Sequence, residues 1–235
     1  MKKLRIPSNL TALAYNSIRE YILDGHLDEN SRLTEEFLAA RLGISKSPIR
    51  EALTRLESEG LIRIEPRRGA YLRTFSLKST EELYEVREAL ESHAMRTAKI
   101  TPAILEKLKR TMAEMNTHLA NDDEARYIEE DIRFHSILAQ ASENSTLCAI
   151  LENVQNQIRL FRRKTYDLSS SRAPNDHAAI VRELEKGDLL AAERAMRQHI
   201  ANVRALLIEF LAREAAGRVP STPGVSEAAP AALPG

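Results

Sequence analysis

The spacing of apolar side chains predicts a chain of helices that is interrupted once by two short strands. Before residue 60, apolar residues recur every three or four positions in three segments, and two short segments of strand character follow. Beyond residue 76 the segments are long and amphipathic, and no further strand is predicted. The predicted helices lie at about 10–24, 33–42, 44–60, 78–98, 102–120, 123–141, 144–167, 174–186 and 188–213, and the predicted strands at 61–64 and 70–73.

The third predicted helix has one apolar face and one polar, cationic face. Its apolar stripe comprises Ile49, Ala52, Leu53 and Leu56. The opposite face comprises Lys46, Ser47, Arg50 and Thr54. Ser45 is a suitable N-cap because its hydroxyl can accept a hydrogen bond from a free backbone N–H, and Pro48 suits the first turn. Small polar and cationic residues at the start of a helix are suited to reading the major groove of DNA.

The flanking segments predict a support for this helix and a wing beside it. Gly43 makes the tight turn from the preceding helix, which gives a helix-turn-helix. The two strands enclose a basic tip in which Arg67 and Arg68 can approach a phosphate or the minor groove, and Gly69 supplies the turn. The alternative interpretation is an ordinary helical hairpin beside a solvated surface hairpin. The agreement of three features in order and spacing favours DNA binding.

Residues 31–72 resemble the winged helix-turn-helix of the GntR superfamily of bacterial transcription regulators; they read SRLTEEFLAARLGISKSPIREALTRLESEGLIRIEPRRGAYL. The resemblance implies that Arg50 contacts a base edge or phosphate. Lys46 replaces the usual Arg, and Glu36 occupies a position where some relatives have a DNA-contacting Arg. A lysine lacks the planar fork that suits guanine. With the basic residues of the wing and strand included, the expected DNA-binding residues are Arg32, Ser45, Lys46, Ser47, Arg50, Arg67, Arg68 and Gly69.

Charge and composition change this picture only slightly. The net charge is zero, but residues 1–76 hold 13 basic and 10 acidic residues, against 21 and 24 in the remainder. The basic excess therefore lies with the predicted DNA-binding segment. The single cysteine, Cys148, excludes a disulfide within one chain and is interpreted as a structural thiol. No apolar run is long enough to span a membrane or act as a signal peptide, so a cytoplasmic protein is expected.

The second half of the chain predicts an antiparallel bundle, because short turns join its six helices. The predicted fold is mostly α: an N-terminal winged helix-turn-helix of three helices and a two-stranded wing, followed by an all-α antiparallel six-helix bundle. The predicted divisions are a flexible basic arm at 1–9, the DNA-binding domain at 10–76, an effector-binding and dimerisation domain at 77–214 and a disordered tail at 215–235.

Three histidines and one carboxylate fall on the apolar faces of the later helices. Asp131 and His135 lie one helical turn apart, and His177 and His199 lie on the apolar stripes of two further helices. Each should therefore face the bundle interior, where a carboxylate needs a partner. Each histidine alone could be a satisfied core residue. Together the four predict a divalent metal site, and three imidazoles with one carboxylate suit zinc, nickel or manganese rather than calcium.

This half resembles the FadR C-terminal, or FCD, domain, which occurs in one branch of GntR regulators. The matching residues are Asp131, Phe134 and His135 with the following ASEN, Asp176, His177 and Ile180, the Gly187-Asp188 pair, and His199 with Ile200. The resemblance implies that the quartet holds a divalent transition metal, zinc being expected, with a small carboxylate effector beside it. Arg87 matches a common family pattern and is the candidate effector-binding residue; a salt bridge to Glu91 is the alternative.

These observations favour a ligand-responsive transcription regulator, expected to be a repressor and not an enzyme. It would bind a pseudo-palindromic double-stranded DNA operator as a homodimer, and a small organic acid at the metal would modulate its DNA affinity. No membrane partner is expected. Two alternatives remain: a metal-dependent hydrolase using metal-activated water, and a metal-free dimeric DNA-binding protein.

Overall fold

A computed structural model describes residues 8–27, 31–170 and 172–217 of the 235-residue chain. The predicted basic arm and tail lie largely outside these residues. Ser8 and Asn9, which were assigned to the arm, already belong to the first helix, and the last helix continues to Gly217, beyond the predicted domain end at residue 214. The predicted helical pattern is confirmed, since the described chain is mostly helical with one small sheet.

The N-terminal region has three helices, as predicted, but its sheet has three strands rather than two. The sheet order is β1-β3-β2, and β1 pairs with β3 in antiparallel fashion. The prediction missed β1 because two residues are too short for an alternating pattern. The elements are α1 (Ser8–Leu23), β1 (Arg32–Leu33), α2 (Glu35–Leu42), α3 (Lys46–Ser58), β2 (Ile62–Glu65) and β3 (Gly69–Leu72).

Local chemistry accounts for the helix-turn-helix. The Thr34 hydroxyl accepts a hydrogen bond from the Phe37 backbone N–H and caps α2, which ends at Gly43 in the left-handed conformation. Ser45 precedes α3, but its side chain makes no capping hydrogen bond, so the predicted cap is wrong in detail. The predicted apolar stripe of α3 is fully buried in the core of this region, whereas Lys46 and Arg50 are exposed. The polar face thus lies on the surface.

Six helices follow in the described part of the chain and pack as a bundle. They are α4 (Leu77–Thr97), α5 (Pro102–Ala120), α6 (Glu124–Ala141), α7 (Ser145–Ser169), α8 (Ala173–Glu185) and α9 (Leu189–Gly217). The most extensive contacts join α4 to α9, α5 to α6 and α8 to α9. Gly187 has a positive φ, and the Asp188 carboxylate accepts from the Ala191 N–H, which makes the tight turn from α8 to α9. None of the described helices is both long and apolar enough to cross a membrane.

Helix α7 contacts both halves of the molecule. Its Leu160 packs against the core of the N-terminal region, and Arg159 Nη2 lies 3.2 Å from Asp24 Oδ1. Phe161 meets Phe75 edge to face, at the junction between the two halves. Cys148, near the start of α7, is half-buried rather than fully enclosed. The bundle and the DNA-binding region therefore share one helix as a contact element.

Candidate metal centre and nucleic-acid interface

The fold brings the three predicted histidines together from three different helices. His135 lies on α6, His177 on α8 and His199 on α9, and all three side chains are buried. One ring nitrogen of each lies within 4.8 Å of the others, and the Nε2 atoms of His177 and His199 are 3.3 Å apart. Two nitrogens bound to one tetrahedral zinc ion stand about 3.3 Å apart, given bond lengths of about 2.0–2.1 Å.

Asp131 is placed beside this cluster, with one oxygen engaged and the other available. Its Oδ2 accepts a hydrogen bond from Arg162 Nη1, whereas Oδ1 is buried without a hydrogen-bond partner in the described part of the chain. Oδ1 lies 3.6 Å from His177 Nε2. Burial alone would raise the pKa of this carboxyl, but the attraction of Arg162 and the neighbouring histidines holds it well below its usual range. Asp131 is therefore an ionised group with one free oxygen.

Glu91 connects the histidine cluster to Arg87. Its Oε2 accepts from His135 Nδ1 at 2.5 Å, and its Oε1 accepts from Arg87 Nε at 2.6 Å. Although burial opposes ionisation, the charges of His135 and Arg87 lower the Glu91 pKa to about 2. A carboxylate on the distal nitrogen of a histidine orients its other nitrogen towards a metal. Arg87 therefore forms the salt bridge to Glu91 that was the alternative to an effector-binding role. The same guanidinium also lies 2.9 Å from His135 Nε2.

The other two imidazoles have the protonation state that metal binding requires. Burial lowers the pKa of His177 far below its usual value and lowers that of His199 as well. His199 Nδ1 lies 3.4 Å from Asp176 Oδ2, which fixes the ring so that Nε2 faces the cluster. His177 Nδ1 is buried and has no hydrogen-bond partner among the described residues. Neutral imidazole rings whose nitrogens lie this close together are suited to bind one metal ion.

The donor set therefore fits a divalent transition metal. Three imidazole nitrogens lie within 4.8 Å of one another, and Oδ1 of Asp131, which is unpartnered among the described residues, lies 3.6 Å from Nε2 of His177. Such a set suits zinc, nickel or manganese. Arg87 now contacts the nitrogen that His135 would offer, so Arg87 must turn aside when His135 binds a metal. A small cavity beside these groups has about 10 Å³ of free space, which is roughly the room that one water needs.

The predicted DNA face lies on the opposite side of α3 from the core, and its two cations are held by carboxylates of α2. Arg50 forms a bidentate ion pair with Glu35, in which Arg50 Nε lies 2.8 Å from Glu35 Oε1 and Arg50 Nη2 lies 2.6 Å from Glu35 Oε2. Lys46 Nζ lies 2.5 Å from Glu36 Oε1. Arg50 is 66% exposed in its side chain. Both cations are thus on the surface and paired with groups that DNA phosphates could replace.

The wing presents the predicted basic tip. Arg67 and Arg68 are exposed between β2 and β3, and Arg67 itself adopts a positive φ of 64°. Gly69 has a φ of 109°, and a Cβ there would lie 2.7 Å from the Leu33 backbone oxygen. Glycine is required because any side chain would be strained and would press on β1. Arg32, on β1, lies against the same turn and is exposed.

The structure thus gathers the predicted residues into two sites, and it adds two residues that the sequence reasoning did not assign to either. Glu91 was considered only as a partner for Arg87, and Arg162 was not singled out. Both lie on helices other than α6, far along the chain from the ligand that each contacts. For Glu91, the sequence offered one indication, its spacing of one helical turn from Arg87. The periodicity of α7 could have placed Arg162 inside the bundle.

Comparison with known proteins finds two family matches. Residues 10–72 match the model of bacterial regulatory proteins of the gntR family, and residues 82–202 match the FCD domain. The uncharacterised HTH-type transcriptional regulator YdhC of Bacillus subtilis is 29% identical over 84% of this chain and 90% of its own length. The HTH-type transcriptional repressor RspR of Escherichia coli is 27% identical, over 80% of this chain and 85% of its own.

A solved structure shares the fold. The crystal structure described as a GntR transcriptional regulator from Rhodococcus sp. RHA1 superposes with a TM-score of 0.73 at 23% identity. The superposition covers 84% of this chain and 97% of that one. It therefore includes both the winged region and the bundle.

Proposed function

The chain belongs to the gntR family of bacterial regulatory proteins and carries an FCD domain, and we propose that its bundle is a metal-dependent sensor of a small carboxylate. The named relatives are transcriptional regulators, and RspR is a repressor. The chain is accordingly a transcription regulator rather than an enzyme, which sets the hydrolase alternative aside. In the proposal, the protein represses transcription until the carboxylate binds.

The proposal assigns sequence reading to the start of α3. Ser45, Lys46, Ser47 and Arg50 face the major groove, while Arg32, Arg67, Arg68 and the Gly69 turn meet the phosphates or the minor groove beside it. Support comes from the exposure of this face and from the burial of the stripe behind it. Phosphate contacts set much of the affinity, and Arg50 and Lys46 discriminate between bases. When the protein binds DNA, Arg50 and Lys46 each leave their carboxylate partner on α2 and contact the DNA instead.

The single observation that carries the sensor proposal is the meeting of His135, His177 and His199 beside the free oxygen of Asp131. These four residues would hold the metal, with Glu91 and Asp176 orienting His135 and His199. An ion held by these four residues would offer a position to a carboxylate oxygen by expanding from four to five ligands, which zinc does in catalytic sites. Arg87, once released from His135, donates hydrogen bonds to the bound acid.

The proposal also includes a homodimer on a pseudo-palindromic operator. Two winged regions related by a twofold axis would place two α3 helices in successive major-groove segments. The acid acts by preferring one arrangement of the bundle and thereby shifting the population of DNA-binding states. Light scattering after gel filtration should give twice the 26.4 kDa mass of one chain.

The test is metal content together with thermal melting against a panel of small carboxylic acids. We expect one zinc per chain after reconstitution, and an upward melting shift with at least one acid, because binding to the native state alone raises stability. His199→Ala should lose both effects, whereas His93→Ala, which changes an exposed histidine of α4, should keep them. Absence of metal and of any shift in the wild type would instead support the metal-free dimeric alternative.

A further inference from the structure

Two buried guanidinium groups face the small cavity beside the histidines. Arg87 on α4 and Arg162 on α7 both line it, together with Asp131 and His135. Their residues are only 2% and 7% exposed. Arginine is almost never fully buried unless it is paired, and each of these has a carboxylate partner. Two guanidinium forks at one cavity form a site suited to carboxylate groups.

Among the described residues, the formal charges of the buried groups around the histidines balance when the imidazoles are neutral. Arg159 also lines the cavity, but it has its own partners in Asp24 and Glu129. Asp131 and Glu91 carry one negative charge each, and Arg87 and Arg162 carry one positive charge each. The imidazoles are neutral when they act as ligands. Asp176, behind His199, has Arg172 3.9 Å away as its own partner and does not alter the balance. A divalent ion therefore adds two positive charges to a region where uncompensated charge is costly.

From the two buried guanidinium groups that line one cavity beside the histidines, together with this balance, we infer that the effector is a dianion, a small acid with two carboxylates, and that Arg162 is one of the residues that select it. The inference rests on the proposed function and names the ligand class of the same site. One carboxylate occupies the fifth position at the metal, and the second lies between the guanidinium groups of Arg162 and Arg87. A monocarboxylate leaves one positive charge of the loaded site uncompensated.

The position of Arg162 suits this role. It belongs to the face of α7 that also presents Gln155 and Ile158 to the cavity. By donating to Asp131 Oδ2, it leaves Oδ1 facing His177, so Arg162 also positions the carboxylate that binds metal. The present cavity is too small for an acid. Arg87 contacts the His135 nitrogen that would bind the metal, so in this proposal Arg87 leaves that nitrogen on metal binding and its departure makes room for the acid.

The first test needs no variant. Wild-type protein is loaded with zinc, freed of unbound zinc, and titrated by calorimetry with matched pairs of acids: propionate against malonate, and butyrate against succinate. We expect the dicarboxylate of at least one pair to bind at least about tenfold more tightly, the factor that one charged hydrogen-bond pair provides. Zinc-loaded protein that binds monocarboxylates equally well would overturn the dianion inference while leaving the sensor proposal in place. Failure to bind zinc or any acid would overturn both.

The second test examines Arg162 itself. Arg162→Gln is saturated with zinc before the titration, because Arg162 also positions Asp131. It should then bind the two acids of each pair equally, and a merely structural role would not remove the preference for the dicarboxylate. Arg133→Gln, on the exposed side of α6, is the matched control and should keep the preference. If Arg162→Gln fails to fold, Arg162→Lys retains the charge but not the fork and should show a reduced preference. An unchanged preference in the variant that folds would contradict the assignment of Arg162.

Discussion

The proposed DNA-contacting face and the histidine cluster contain the same kinds of charged group in opposite surroundings. On α3, Arg50 and its partner Glu35 lie at the surface, whereas the Arg162–Asp131 pair lies inside the bundle with Asp131 fully enclosed. An exposed ion pair has little net stability and exchanges readily. A buried pair is costly to break because either partner alone is an uncompensated charge. The proposal therefore lets the surface cations exchange a carboxylate for a DNA phosphate, and it requires a ligand of the interior to restore the charge balance there.

The two regions meet at α7. On this helix Arg162 contacts Asp131 beside the histidines, whereas Glu152 and Arg159 pair with residues of the N-terminal region. Arg159 also lines the cavity, on the same side of α7 as Arg162. Arg19 Nη1 lies 3.3 Å from Glu152 Oε1, and Arg159 bridges Asp24 and Glu129. These contacts make α7 the route by which, in the proposal, a rearrangement at the buried pair reaches the N-terminal region.

The largest effect is expected from breaking the buried pair. Asp131→Asn removes the charge that faces Arg162 and should lower the free energy of unfolding by about 3–5 kcal/mol. Urea unfolding of metal-free protein would measure it. The control, Glu35→Gln, weakens an exposed pair and should leave stability nearly unchanged. Similar losses of unfolding free energy in the two variants would contradict the distinction between a buried and an exposed ion pair.

Removing Arg50 should come next in size. Arg50→Ala is expected to weaken specific operator binding about 10- to 100-fold, as loss of a bidentate base contact does, while zinc content and the melting shift with acid persist. Fluorescence anisotropy with operator and scrambled duplexes would measure the ratio. Arg133→Ala, whose side chain is exposed on the bundle, is the control. Intact operator affinity in Arg50→Ala would show that the reading surface lies elsewhere.

A smaller effect is expected at the junction. Arg159→Ala removes the link from α7 to Asp24 and should reduce the effect of the acid on DNA affinity by about 0.5–2 kcal/mol, the range found for residues between coupled sites. Basal DNA affinity and zinc content should not change. Operator titrations with and without acid would measure the coupling, and full coupling in the variant would place the connection elsewhere.

The smallest effect is expected at Glu36. Glu36→Gln removes a fully solvated negative charge beside Lys46 and should raise non-specific DNA affinity a few-fold at low salt, with little change above about 0.2 M salt. Affinity for a scrambled duplex across a salt series would measure it. A large effect that persists at high salt would indicate a direct role for Glu36 in reading DNA.

The sequence predicted the DNA-binding region and the histidine set well, because both depend on local spacing. Helical periodicity predicts the buried stripe of α3 and the one-turn spacing of Asp131 and His135. Because the histidines lie on apolar helix faces, they point into the bundle when those faces are buried. Strand β1 was missed because its two residues are defined by pairing with β3 rather than by a pattern of their own. Arg162 was missed because its partner is 31 residues away, and such a contact depends on helix packing that no local pattern contains.

The central claim, that metal and acid at the buried site control DNA binding, is tested most directly by operator affinity measured with and without zinc and a dicarboxylate. The account predicts that the acid changes the affinity about 5- to 150-fold in zinc-loaded wild type. It predicts no change in metal-free protein or in His199→Ala, which should still bind the operator. An operator affinity that ignores the acid in zinc-loaded protein, or an acid effect that persists in His199→Ala, would contradict the account.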